Sequence, residues 1–165
     1  MFQEAHDYNH KLIFGLIHLR PMPGTPFYKD GDSEASIEKA IKDAKALENG
    51  GASGCLIQTV DKVYPNGYEK EALLKRVHEA SMVKAGAVEI MSKDETLNNQ
   101  MAEDIRKAFP HMPIILGGGT DVESVKRRLQ FADGALVGSC FEGNKWGEGI
   151  QESIVADYMR EVHSM

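Results

Sequence analysis

Three times in this chain a glycine-bearing turn closes an amphipathic stretch and leads straight into a short apolar run: Gly51-Ala52-Ser53-Gly54 before Cys55, Ala85-Gly86-Ala87 before Val88, and Ala132-Asp133-Gly134-Ala135 before Leu136. A glycine that ends a helix and then enters a buried strand marks an α-to-β connection. Repeating it dictates a parallel sheet, because strands of one sense can be joined only by crossovers, and those crossovers are right-handed.

The rest of the chain fills in that frame. Leu12-Ile13-Phe14-Gly15-Leu16-Ile17-His18-Leu19 is a near-continuous apolar run and reads as a buried first strand. The loop Pro21-Met22-Pro23-Gly24-Thr25-Pro26 follows; proline fixes φ and removes donors, so this stretch is neither helix nor sheet. From Ser36, residues Ile37, Ala40, Ile41, Ala44 and Leu47 form one apolar helical face that Gly50-Gly51 ends. Cys55–Val60 is a second strand, and Lys70–Ala85 a second helix with Leu73, Leu74, Val77, Ala80 and Val83 inward. Val88–Met91 is a third strand. Ser92 is the expected N-cap of a helix over Asp94–Phe109, with Glu95 completing a capping box. Pro113–Leu116 is a fourth strand, Val122–Phe131 a helix, Gly134–Val137 a fifth strand and Ile150–Glu161 a final helix. No linker or low-complexity segment divides residues 1–165, so one domain is expected.

The arithmetic then sets a limit. A βα unit takes about 30 residues, and a complete eight-unit barrel about 250. A chain of 165 residues supplies about five units. The expected fold is α/β: parallel (βα) repeats forming an incomplete or reduced TIM-type barrel, with an open sheet the other solution. Five strands leave two raw edges. The chain is therefore expected to need a second copy to complete the sheet, or to remain marginal.

The net charge of −6 argues against a nucleic-acid partner, which would be held through an excess of Lys and Arg. The densest basic run, Lys126-Arg127-Arg128, lies in a helical pattern and reads as a solvated face. The first residues, Met1 to Asp7, are polar and acidic, unlike a signal peptide. No apolar run reaches the roughly 18 residues of a transmembrane helix. The two cysteines, Cys55 and Cys140, fall in apolar segments and read as buried, inert thiols in a reducing cytoplasm.

Two strand ends carry the strongest chemical signal. In Gly117-Gly118-Gly119-Thr120, three glycines after an apolar strand let the backbone approach a ligand and offer N–H groups, while Thr120 adds a hydroxyl. The expected helix after it would contribute the positive end of its dipole. One strand later, Gly138-Ser139 repeats the device. Such a pair near the C-terminus matches the phosphate site built after the last two strands of (βα) barrels. The bland alternative is a pair of tight turns.

His18, at the carboxyl end of the first strand, lies where parallel sheets bind ligands and suits acid–base work; it could equally be a partly buried histidine fixing the proline loop. Asp61, after the second strand, falls on the same rim as a candidate base, or as a carboxylate capping a turn with Lys62. Glu89 is unusual in its apolar strand. No His/Cys/Asp/Glu cluster has metal-ligand spacing, so neither metal nor cofactor is expected.

These segments resemble a known family. Gly15-Leu16-Ile17-His18-Leu19-Arg20-Pro21-Met22-Pro23-Gly24-Thr25-Pro26 is similar to the opening of the BtpA/SgcQ family, and Ala52–Pro65 to its second strand and loop. Ile114–Thr120 and Ala132–Phe141 are similar to its last two strands. The resemblance implies a TIM barrel of the ribulose-phosphate-binding kind, a group sometimes labelled phosphoribosylanthranilate isomerase. It implies a phosphorylated small molecule as ligand and a sugar-phosphate isomerase, lyase or nucleosidase-like activity. Its alternative is the non-catalytic assembly role of the branch associated with photosystem I biogenesis. Against the family pattern, about three central βα units are missing around Tyr68–Ala72.

Overall fold

A computed structural model describes residues 11–20, 29–59, 74, 77–78, 81–82, 86–145 and 147–165. Five strands make one sheet: β1 (Leu12–Leu19), β2 (Gly54–Thr59), β3 (Val88–Ile90), β4 (Ile114–Leu116) and β5 (Gly134–Val137). The helices are α1 (Asp32–Asn49), α2 (Glu95–Ala108), α3 (Val125–Arg128) and α4 (Glu152–His163). Between β2 and β3, Leu74, Val77, His78, Ser81 and Met82 are helical, within the helix expected there.

All pairings are parallel and the order is β2-β1-β5-β4-β3. The last strand lies beside the first, the neighbour relation of a barrel rather than a sheet wound outward in both directions. Reading around the sheet recovers the chain order with, among the described residues, one seam open, between β2 and β3. The interval from Thr59 to Val88 has room for one crossover, not for the three missing units.

Burial alternates along β1. Ile13, Gly15 and Ile17 are buried, whereas Phe14 and Leu16 are half-buried. A Cβ on Gly15 would strike the Leu47 side chain of α1, so the odd positions face the helices. With Leu116, Ala135, Val137 and Ile90 they form the main core, into which α2 and α4 press Met101, Ile105, Val155 and Tyr158. Ile115 is buried too, yet lies outside that cluster, on the opposite face.

Local chemistry shifts several expected boundaries. α1 begins four residues before Ser36. Asp32 accepts from the Lys29 backbone N–H at 2.9 Å, and the Ser36 hydroxyl sits inside the helix accepting from the Arg20 N–H at 3.0 Å. The cap of α2 is Asp94 rather than Ser92: its carboxylate accepts from the Thr96 and Leu97 N–H groups. Of the three glycine junctions, the first uses the left-handed conformation, at Gly51 with φ 84°. Gly134 serves differently, since a Cβ there would run into the Leu12 carbonyl across the β1–β5 seam.

Cys55 is exposed and Cys140 half-buried, which corrects the expectation of two buried thiols. β2 is an edge strand on which Cys55, Leu56 and Ile57 are exposed, so its apolar sequence does not translate into burial. Among the described residues, no helix is long and apolar enough to cross a membrane.

Candidate functional site

In parallel β/α folds the chemistry collects at the carboxyl ends of the strands. Because β1, β5 and β4 are consecutive neighbours, His18, Gly138 and the Gly117–Thr120 loop come to one rim. His18 faces the side away from the helices, in phase with Phe14 and Leu16, yet it is buried. Its ring packs against Gly138: a Cβ there would lie 2.7 Å from His18 Cε1 and 3.4 Å from Nε2. A side chain at position 138 would push the imidazole away, which is a reason for glycine at this strand end.

The ring is oriented by a residue the sequence did not single out. Glu142, fully buried, has Oε2 3.3 Å from His18 Nδ1. An ionised carboxylate only accepts, so the Nδ1 proton faces it. The turn after β5 delivers Glu142: its N–H donates to the Gly138 carbonyl at 3.2 Å, and its Oε2 also accepts from the Gly147 N–H at 3.1 Å. Lys39 Nζ lies 3.5 Å from Glu142 Oε1, 2.6 Å from Asp43 Oδ2 and 3.4 Å from the His18 carbonyl. Asp43 Oδ1 accepts from the Ile150 N–H at 2.9 Å, tying α1 to the approach of α4. One ammonium thus bridges two buried carboxylates behind the histidine. In the sequence, Lys39 and Asp43 are an i, i+4 pair on the flank of α1 next to Ser36 and Leu47, and Glu142 is the acid that directly follows Cys140-Phe141; both were available signals.

The glycine loop has its own polarity. The Gly117 N–H donates to the Ile90 carbonyl at 2.8 Å and is spent on the sheet. Among the described residues, the N–H groups of Gly118, Gly119, Thr120 and Ser139 donate no hydrogen bond. Gly118 and Gly119 have φ of 109° and 73°, a left-handed course that glycine follows without strain. Thr120 is buried, and its Oγ1 accepts from Tyr158 Oη at 2.8 Å. Burial drives the Tyr158 phenol far above its ordinary range, so it stays a donor.

The expected helix over Val122–Phe131 shortens to the single turn α3. Asp121 Oδ1 accepts from the Glu123 and Ser124 N–H groups and from the Ser124 hydroxyl, the i+2 and i+3 pattern that Asp94 makes at the start of α2. That same hydroxyl bond, with the backbone bonds, holds the Asp121 carboxyl below its usual value. A one-turn helix supplies little macrodipole.

Positive charge comes from a side chain instead. Arg128, 5% exposed, lies against Gly119 and donates from Nη1 to its carbonyl, while Nε and Nη2 are buried without a hydrogen-bond partner. This corrects the reading of Lys126-Arg127-Arg128 as a solvated face: Lys126 pairs with Glu161 and Arg127 with Glu95 outside, and Arg128 turns inward. On the other side, the Glu89 side chain occupies the space a Cβ on Gly117 would need. Desolvation raises its carboxyl above the usual range. The loop is thus positive toward Gly119 and acidic toward Gly117. Asp61 and the proline loop of 21–26 lie outside the described residues. Among those described, no group of three or more His, Cys, Asp or Glu could hold a metal ion.

Comparison with known proteins places this arrangement. The sequence profile of the BtpA family matches residues 9–93. This chain belongs to the BtpA family. An uncharacterized protein of Pyrococcus furiosus is 44% identical over 52 residues, covering 32% of this chain and 20% of the relative. One from Archaeoglobus fulgidus is 39% identical over 64 residues, covering 38% and 25%. One from Pyrococcus abyssi is 25% identical over 118 residues, covering 67% and 45%. The chain thus spans less than half the length of each of these relatives. The solved structure of N-(5'-phosphoribosyl)anthranilate isomerase from Pyrococcus furiosus is similar with a TM-score of 0.50 at 14% identity, covering 94% of this chain and all of that one. The fold of this BtpA-family chain is therefore that of a reduced TIM-type barrel, with five parallel strands among the described residues.

Proposed function

We propose that this chain binds a phosphorylated small molecule at the rim formed by Gly117–Thr120 and Gly138-Ser139, and that His18 moves a proton on it. The observation that carries the reading is the meeting, on neighbouring strands, of a glycine loop with unspent N–H groups and a histidine packed on the next glycine. A phosphate seated over Gly118–Thr120 would take those N–H groups and balance Arg128 beneath them. The carboxylate of Glu89 sets the limit of the cradle on the Gly117 side. Glu142 is the positioning residue: it holds the proton on Nδ1 and directs Nε2 toward the Gly138 side, as a general base requires. Asp61, following the strand next to β1, is the second proton-transfer group of this proposal. The reaction class is proton transfer on a phosphorylated sugar or nucleoside-like compound, in an isomerase, lyase or nucleosidase, and the compartment a reducing cytoplasm.

Titration of the folded chain with inorganic phosphate and with ribose 5-phosphate, followed by calorimetry or amide shifts, tests binding. Saturable binding in the millimolar range or tighter is expected, weakened about tenfold by Arg128→Met, the loss of one charge-assisted contact. No saturation by about 10 mM with the fold intact would sink the proposal. His18→Gln should leave binding within about threefold while lowering any turnover by about 100-fold or more.

A further inference from the structure

We propose that two copies of this chain close a single ten-stranded parallel barrel about a two-fold axis, β2 of each pairing with β3 of the other. This inference is independent of any ligand. It starts from the open seam. Among the described residues, β2 lacks the strand that should follow it in barrel order, and β3 lacks the strand that should precede it. Each edge is what the other needs, and both belong to strands of the same sense. A rotation by half a turn about the barrel axis preserves strand direction, so it brings β3 of one copy beside β2 of its partner and repeats the contact on the far side. A two-fold contact of this kind is closed and self-complementary.

The distribution of exposed apolar side chains fits those two seams. Among the described residues, every exposed large hydrophobic except Met165 lies at one edge or the other. At the β2 edge they are Leu56 and Ile57 on the strand and Ile37 and Ile41 on α1. The α1 pair, one turn apart, lies on the flank opposite Lys39 and Asp43, which face α4. At the β3 edge they are Met91, just past the strand, and Met82 in the helical stretch before it. That stretch packs on the β3 side, with Val77 in the core and the His78 ring 6.3 Å from Phe109 at the end of α2.

A helix that precedes a strand in a right-handed crossover covers the junction with the strand before. In the dimer, that junction is the seam with β2 of the partner. The Met82 helix of one copy would cover the outer face of Ile57 and the free flank of α1 on the other. A wider barrel asks each five-strand arc to open from about 45° to about 36° per strand, a modest change for a twisted sheet. The seams give each copy a strand neighbour on both sides and a helix over its bare apolar face, the combination that stable homodimer interfaces use.

Sedimentation of the full chain at on the order of 100 µM should give a species of twice its 18.2 kDa. Ile57→Lys, at a site already exposed in one chain, should raise the dimer dissociation constant about 100-fold and leave the circular dichroism spectrum of the monomer intact; Ile41→Glu on α1 is the second such variant. Leu56→Cys with Glu89→Cys, in a Cys55→Ser background, places thiols on the two edges for a short bis-maleimide. Product that stops at two chains supports the closed dimer. A ladder of higher species would mean open edge-to-edge association, product linked only within one chain would mean the seam closes on itself, and a monomer at the highest concentration would leave the edges to some other occupant. Each of these three overturns the proposal.

Discussion

Ile17 and Ile57 are cross-strand partners on the same face of the same sheet, yet Ile17 is 1% exposed and Ile57 is 56% exposed. Sequence, register and propensity do not distinguish them. What differs is their place in the barrel order. Ile17 lies on β1, flanked by β2 and β5 and roofed by α1; Ile57 lies on β2, which has no neighbour on its other side among the described residues. The closed seam, β1 with β5, is where the core and the candidate site are built. The open seam, β2 and β3, is where apolar surface is left over. The contrast teaches that barrel neighbours, more than local composition, decide which apolar residue becomes core.

The sharpest way to break the contrast is at the closed seam itself. Gly134→Ala sets a Cβ against the Leu12 carbonyl, a backbone atom that cannot swing aside, and should cost more than about 3 kcal/mol in urea unfolding. A loss below about 1 kcal/mol would mean the β1–β5 pairing is looser than described. Next comes the isoleucine pair. Ile17→Ala should destabilise by about 3 kcal/mol through a buried cavity. Ile57→Ala, measured at protein concentrations low enough to keep chains apart, should stay below about 1 kcal/mol. Equal losses would erase the distinction between the seams.

The smallest effect concerns Glu89, on the β3 edge. Its folded carboxyl titrates above the unfolded value because it is desolvated, so the folded state holds the proton more tightly. Stability from this group is fully present below the unfolded carboxylate pKa and is lost as pH rises through the raised folded one. Glu89→Gln should therefore flatten the fall in stability just above the ordinary carboxylate range, and an unchanged slope would argue that Glu89 is well solvated.

Much of this architecture was legible in the residues. β1 and β5 were delimited by apolar runs and glycine punctuation, and the shortage of βα units by length alone. The rim was legible in part: His18 and the two glycine ends were named, because strand termini and glycines leave local marks. Their supports were not. Lys39 and Asp43 are neighbours on α1, but Glu142 stands 103 positions from Lys39, and only folding reveals that one ammonium spans two carboxylates. Arg128 was hidden in a basic run whose other members are solvated. Helix α3 is a single turn, Val125–Arg128, shorter than the apolar pattern over Val122–Phe131 suggested, although Asp121 caps the turn before it. Cys55 looked buried because its neighbours are apolar, but it lies on an edge strand and is exposed.

The hydrogen bond from Tyr158 to Thr120 bears on how the glycine loop can bind anything at all. Three glycines in a row would ordinarily make a segment of high conformational entropy, and ordering it around a ligand would cost about 1–2 kcal/mol per residue. Here the far end is already tethered: Thr120 is buried, and a phenol that will not ionise holds its hydroxyl from the middle of α4. The left-handed turn at Gly118 and Gly119 is thus strung between a sheet on one side and a helix on the other. The loop meets a ligand largely preorganised, and what the C-terminal helix contributes to recognition is rigidity rather than contact.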